Sequence, residues 1–351
     1  MGSGIGLERL SRAKRGFTTR RVPAADMHEV VEGGERPQPG DLVFARVERL
    51  GFRAVLERPD GREARLYRGD EIVVCYGNHH APTSFEAVVP DNMGPCDLVD
   101  SGGIAAKALS WHQDVNAPTG IRPLGVIRDP SGRRLNIGSY AAPARPLERS
   151  VPVVAVVGAA AGSGSTTVAA ALIRGLCAHG QRVAGMKITG AGSGRDLWEL
   201  SDAGASVVFD VVDAGFPSTH EIDVRDIVQS ARSLAAHAAR ARCSVVVMEL
   251  SGGLTQSESA AVLRTGALRT MVHGLIFACS NAIEASAGYA WLREADYRVL
   301  ALSGRISRSP LATRTAEAET GLPCYPAGDL QRDEVAGSLL VGRSEGAPPV
   351  Q

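Results

Sequence analysis

The residues best equipped for chemistry surround one small-residue loop, Gly158-Ala-Ala-Ala-Gly162-Ser163-Gly164-Ser165-Thr166-Thr167. It follows the apolar, β-branched run Val153–Val157 and opens the Ala-rich run Val168–Cys177. Strand, small-residue loop and helix together direct main-chain N–H groups and a helix N-terminus at one point, where a phosphate is stabilised. Glycines let the backbone approach an anion without a Cβ in the way. A loop of this composition alone could be a tight turn or a linker; the strand before it and the helix after it favour phosphate binding. The spacing therefore assigns phosphate contact to Gly158, Gly162, Ser163, Gly164, Ser165, Thr166 and Thr167. Thr166 stands where such loops offer a hydroxyl to Mg²⁺. Ser165 stands where they carry a lysine that reaches the β- and γ-phosphates. Hydrogen bonds to charged groups contribute about 1.5–3 kcal/mol each. The missing ammonium thus predicts weaker triphosphate binding or a different phosphorylated ligand.

Further candidates lie downstream. Lys187 ends the apolar run around Arg182–Met186 and is the cation available to act in place of the loop lysine. Glu249 ends Ser244–Met248 and precedes Gly252-Gly253, so it and Asp202 are the acidic candidates for a metal shell with Thr166. A surface acid is the bland alternative for both, and Asp196 could take the place of Asp202. The segment Asp210-Val-Val-Asp213-Ala-Gly-Phe-Pro-Ser218-Thr219-His220 gathers acids and hydroxyls after a predicted strand. Strand C-terminal ends in α/β sheets carry ligands. Thr189, Asp196, Asp213, Ser218, Thr219, Ser251 and Gly252 are accordingly candidate substrate contacts, although such loops often only turn the chain. Asn78-His79-His80 lacks a third ligand at metal-site spacing and reads as an exposed loop.

In order and spacing these segments resemble the dethiobiotin synthetase-like group of P-loop proteins, over about Val153 to Leu302. Gly158-x5-Gly164-Ser165-Thr166 is similar to its G-x5-G-K-T loop. Gly185-Met186-Lys187 is similar to its second strand end, Ser201-Asp202-Ala203 to its metal-binding Ser-Asp-Ala, and Val245–Gly253 to its V-V-E-G-A-G-G strand end. Other P-loop relatives carry a Lys-x-Thr-Gly segment and an Asp-Ala-Gly-Ala element, here Lys187–Gly190 and Asp202–Ala205. The resemblance implies an ATP- and Mg²⁺-dependent enzyme, ligase- or kinase-like. It would activate a carboxyl or carbamate oxygen of a small amine or carboxylate metabolite, with Lys187 catalytic, and work as a homodimer. The family's base-recognition region reads Leu302-Ser303-Gly304-Arg305 here and shows no motif choosing ATP over GTP. Ser165, where the family has lysine, keeps two other readings open. One is an acyl-CoA-dependent N-acyltransferase using acetyl-CoA or another acyl-CoA; the other is a non-catalytic nucleotide or metabolite sensor.

Positioning these residues needs an α/β domain. Continuous apolar runs alternate with Ala-rich helical stretches from Val151 on, which predicts a mostly parallel sheet with helices on both faces. Upstream, alternating runs and the turns Pro59-Asp60-Gly61 and Asp129-Pro130-Ser131-Gly132 predict a small β-rich domain, a barrel or sandwich. Gly103–His112 reads as a helix within it, and Asp26–Val31 as a short helix before it. The expected divisions are a loosely ordered segment 1–40, a β-rich domain 41–140, a linker 141–150, the P-loop domain 151–338 and a disordered tail 339–351. The chain has 351 residues, 44% hydrophobic and 22% charged, with zero net charge. That balance suits a globular protein with a small-molecule substrate and gives no nucleic-acid footprint and no membrane anchor. Six scattered cysteines form no metal or disulfide pattern and predict reduced thiols in a cytoplasmic protein.

Overall fold

The computed structural model describes residues 7–33, 36–52, 54–147 and 151–341. The chain forms two compact units. The first takes residues up to Ala142 together with Gly190–Arg195 and Asp210–Glu221. The second takes Pro143–Thr189, Asp196–Phe209 and the chain from Ile222.

The strands of the first unit are β1 (Lys14–Arg15), β2 (Glu29–Val31), β3 (Leu42–Arg49), β4 (Val55–Glu57), β5 (Glu63–Arg65) and β6 (Glu71–Tyr76). They continue with β7 (His79–His80), β8 (Phe85–Val88), β9 (Cys96–Asp100), β10 (Ile104–Trp111) and β11 (Thr119–Arg128). Strands β6, β3, β11, β9 and β10 are successive neighbours, and β10 also pairs with β6, so these strands close into a ring. Their alternation sorts two apolar sets. Val43, Ala45, Val47, Ile72, Val74 and Tyr76 share one cluster. Leu42, Phe44, Val73 and Cys75 join Leu10, Val22, Met27 and Val30 in another.

That second cluster corrects the expectation for residues 1–40. The outer face of β3 and β6 is as apolar as the inner one, so it needs a cover. The N-terminal stretch supplies it with helix α1 (Leu7–Arg12), a 3₁₀ turn at Phe17–Thr19 and strand β2. Phe17, Thr18 and Thr19 are fully buried. The short helix expected over Asp26–Val31 is instead a 3₁₀ turn at Ala24–Asp26 followed by β2. Gly103–His112 is not helical either. It is β10, antiparallel to β9 and β8 and parallel to β6. Closing the ring, with Ile104, Ala105 and Ala106 buried, overrides the helical bias of its alanines. The hairpin about Pro59–Gly61 forms as β4–β5.

The second unit is a parallel sheet of β12 (Val153–Gly158), β13 (Val183–Thr189), β14 (Val207–Phe209), β15 (Val245–Leu250), β16 (Val272–Ala278) and β17 (Val299–Ser303), in the order β14-β13-β15-β12-β16-β17. Every residue of β12, β13 and β15 is buried, as expected for strands covered on both faces. The flanking helices are α2 (Ser165–Ala178), α3 (Gly194–Asp202), α4 (Val224–Arg240), α5 (Ser257–Arg264), α6 (Ala282–Glu294), α7 (Pro310–Thr320), α8 (Ala327–Leu330) and α9 (Asp333–Val341). Val168, Leu172 and Leu176 of α2 pack with Val154, Val156 and Val245 of the sheet and with Leu330 and Ala336. The expected tail therefore begins too early, because α9 runs to Val341; residues 342–351 lie outside the described ones. The expected domain limits of 140 and 151 miss the transfer of 190–195 and 210–221 to the first unit, and the boundary itself falls at Ala142/Pro143. All six cysteines are free, and all but Cys177 are buried. No described helix is long and apolar enough to cross a membrane.

Candidate functional site

The loop leaves β12 at the centre of the sheet and enters α2 through Gly164, whose φ of 97° lies in the left-handed region. The first helical bond runs from Val168 N to Gly164 O at 3.0 Å. The amides of Gly164, Ser165, Thr166 and Thr167 therefore open the helix without intrahelical acceptors, as at any helix start. The loop is held on two sides. Leu254 N donates to Gly158 O at 3.0 Å, and Arg305 N donates to Ser163 O at 3.1 Å. A Cβ on Gly253 would lie 2.5 Å from Gly158 O, and one on Gly304 would lie 2.5 Å from Ser163 O. Only glycine permits both approaches. Ser163 is buried and turns back on Ala160, whose N–H donates to Ser163 Oγ at 3.1 Å, so Ser163 shapes the loop from within.

Sheet order places β15 between β12 and β13, which brings three strand ends together. Glu249 pairs in register with Val156 and Lys187. The Ser165 and Thr166 hydroxyls both donate to Glu249 Oε1, at 2.8 and 2.7 Å. Glu249 is 1% exposed, and its Oε2 is buried with no hydrogen-bond partner. Burial, and then the nearby charge of Asp196, push its carboxyl pKa up against the opposing pull of Lys187 and the two hydroxyls. Lys187 is buried and ion-paired with Asp196 on α3. The strand steps out of register between Lys187 and Thr189, a bulge just past the lysine. Thr189, also buried, donates to Ser251 O at 3.2 Å and lies 3.0 Å from Ser259 Oγ. Ser259 donates to the same carbonyl at 2.7 Å, so this hydroxyl pair anchors the turn through Gly252 and Gly253.

A cavity of about 420 Å³ adjoins the loop, lined by Gly162, Gly164, Thr167, Gly304, Arg305 and Arg308 among others. Val168, Pro326 and Ala327 give it apolar walls.

Most sequence-chosen residues thus converge: the loop, Thr166, Lys187, Glu249, Asp196, Thr189, Ser251 and Gly252. Asp202 does not join them. It is exposed at the end of α3, six residues past Asp196 and so about 9 Å along the axis. Among the described residues no three His, Cys, Asp or Glu side chains gather as a metal site. Asp213, Ser218 and Thr219 belong to the first unit and have structural partners there. Asp213 takes Arg20 at 2.6 Å and Arg21 at 2.8 Å. Ser218 Oγ accepts from His220 N at 3.1 Å, and Thr219 Oγ1 accepts from Gly190 N at 2.8 Å. Sequence reasoning missed Ser259 and Arg308. Neither sits in a motif; only the fold brings Ser259 to the Ser251 carbonyl and Arg308 to the cavity beside the loop.

A central β-strand, a Gly-rich loop capping the next helix, and an acid on the adjoining parallel strand make the second unit a P-loop α/β domain with a parallel sheet. No protein-family model and no curated protein sequence matches the chain. Similar solved structures include the signal recognition particle receptor FtsY of Elizabethkingia anophelis, 18% identical, with a TM-score of 0.36, covering 57% of this chain and 68% of that one. The signal recognition particle 54 kDa protein of Aeropyrum pernix K1, solved in complex with GDP, is 20% identical at TM-score 0.37, covering 57% of this chain and 48% of that one. A ParA family ATPase of Chlorobium tepidum TLS is 13% identical at TM-score 0.32, covering 56% of this chain and 93% of that one.

Proposed function

We propose that this chain is a nucleotide- and Mg²⁺-dependent enzyme of the dethiobiotin synthetase-like kind. In this reading it acts on a small amine or carboxylate metabolite and activates a carboxyl or carbamate oxygen by phosphoryl transfer. One observation carries the reading: Ser165, Thr166, Glu249 and Lys187 meet at the mouth of the phosphate loop, with Glu249 Oε2 buried and unpartnered. A buried carboxylate oxygen with no donor is costly unless a cation or proton completes it. Thr166 Oγ1 and Glu249 Oε2 offer the hard oxygen ligands that Mg²⁺ takes, and the loop amides suit phosphate oxygens. When bound there, Mg²⁺ would neutralise charge on the phosphates. Lys187, paired with Asp196, supplies the cation that Ser165 cannot, and the buried surroundings strengthen its attraction for phosphate. Asp196 holds the lysine in place, and Asp202 stands outside the set.

Calorimetry of ATP, GTP and acetyl-CoA with and without Mg²⁺ tests the reading. Mg²⁺-dependent binding of a nucleoside triphosphate is the expected result. Binding of acetyl-CoA in its place would sink it. That outcome would favour an acyl-CoA-dependent N-acyltransferase, for which Ser165 speaks because no γ-phosphate would need an ammonium. If turnover exists, Lys187→Ala and Glu249→Ala abolish it; a non-catalytic sensor would bind nucleotide and turn over none of a metabolite panel. A homodimer in the cytoplasm belongs to the same reading, and sedimentation tests the dimer.

A further inference from the structure

Arg305 and Arg308 have no part in the reading above, yet both line the cavity that continues from the loop. They lie on a 3₁₀ turn, Arg305–Arg308, directly after β17 and Gly304. That turn is fastened to the loop itself. Arg305 N bonds Ser163 O at 3.1 Å, and Gly304 at φ 93° fits against the same carbonyl with no room for a Cβ. The backbone carrying the two guanidinium groups is therefore fixed relative to the amides of Gly164–Thr167.

Among the described residues neither guanidinium group has an ion pair or a side-chain hydrogen bond, and the cavity lining contains no Asp or Glu. Two cations three residues apart, without a counter-charge, in a concave site repel each other and draw an anion. The planar fork of arginine matches phosphate oxygens in pairs, which a lysine does not. The volume, about 420 Å³, suits a nucleotide-sized ligand, and Val168, Pro326 and Ala327 offer the apolar walls that a base or ribose needs.

We propose that Arg305 and Arg308 form a cationic subsite for the diphosphate of a nucleoside ligand, gripping it from the cavity side and replacing charge that Ser165 leaves out of the loop. The inference rests on the nucleotide reading. In it, Lys187 serves the terminal phosphate, and the two arginines serve the phosphates nearer the nucleoside.

The test is calorimetry at low and moderate salt with adenosine, ADP and a ribose-phosphorylated ADP, on wild type, Arg305→Ala, Arg308→Ala and the double variant. Both side chains are exposed, so truncation leaves the core intact, and unchanged melting temperatures check this. Each substitution is expected to weaken ADP binding roughly tenfold or more while leaving adenosine unaffected, and to flatten the salt dependence. ADP affinity unchanged in the double variant would overturn the assignment while leaving the nucleotide reading intact. So would tighter binding of the ribose-phosphorylated ADP with only that gain lost in the variants, because the arginines would then read the sugar phosphate. Wild-type protein that binds no ADP at all would remove the nucleotide reading and this inference with it.

Discussion

Placing a lysine in the loop, Ser165→Lys, probes the proposed site most directly. Ser165 is the first residue of α2, and its hydroxyl donates to Glu249 Oε1 at 2.8 Å beside Thr166 at 2.7 Å. The substitution removes one of two donors on that oxygen, a loss of about 1.5–3 kcal/mol if Glu249 is ionised. The new ammonium lies near Glu249 and offsets most of this by attraction, so ligand-free stability should change little. A charged hydrogen bond to a phosphate adds about 1.5–3 kcal/mol, which tightens Mg·ATP binding roughly 10–150-fold. The informative measurement is a double-mutant cycle with Lys187→Ala, read by calorimetry with Mg·ATP and Mg·ADP. If Lys187 supplies the phosphate charge, Lys187→Ala alone weakens ATP by a similar factor and Ser165→Lys recovers it, with a coupling energy of about 1 kcal/mol or more. Two results refute the reasoning: Lys187→Ala leaves ATP affinity untouched, or Ser165→Lys acts by the same factor in both backgrounds.

Glu249→Gln should change the pH dependence of ligand-free stability. Burial raises the Glu249 pKa above its ordinary 4.5. A carboxyl with a raised folded-state pKa contributes stability that is complete below the unfolded value and is lost as pH rises through the folded value. Wild-type melting temperature should therefore fall relative to the glutamine variant across that rise, and parallel curves would refute it. Gly304→Ala should lower the unfolding free energy read by urea titration by roughly 1–3 kcal/mol and weaken nucleotide binding, because its Cβ would sit 2.5 Å from Ser163 O at a φ of 93°. Arg20→Ala should destabilise the first unit by about 3–5 kcal/mol, since Arg20 bonds Asp210 and Asp213 at 2.6 Å each and Asp210 is fully buried. Differential scanning calorimetry reads this, and an unchanged transition would refute it. Asp202→Asn should leave Mg·ATP affinity unaltered, whereas a tenfold loss would return Asp202 to the metal site.

The candidate site was legible wherever chemistry is local. Gly158–Thr167 announces itself because loop, helix start and glycine placement are contiguous in the chain. Lys187 and Glu249 were found by the same logic, as polar residues ending apolar strands. Asp202 was chosen by a short local match, and it failed to converge because the turn of α3 that meets Lys187 is the one carrying Asp196. Asp213, Ser218 and Thr219 looked like a ligand loop because polar residues crowd there, but in the folded first unit they satisfy arginines and main-chain amides. Composition alone does not separate a polar group that binds a ligand from one that satisfies a neighbour.

The sequence by itself determined the parallel α/β character of the second unit and the Gly-rich loop between β12 and α2, since each depends on periodicity or spacing within a few tens of residues. Tertiary structure decided the rest. It closed the ring of β-strands, turning Gly103–His112 into a strand, because pairing with β6, β8 and β9 outweighs the helical bias of three alanines. It ordered the N-terminal stretch, because the outer face of β3 and β6 is apolar and must be covered. It also set β15 between β12 and β13, which puts the Ser165 hydroxyl on Glu249 and Lys187 beside it. Strand order is a long-range property of the sheet, and no local pattern in the chain encodes it.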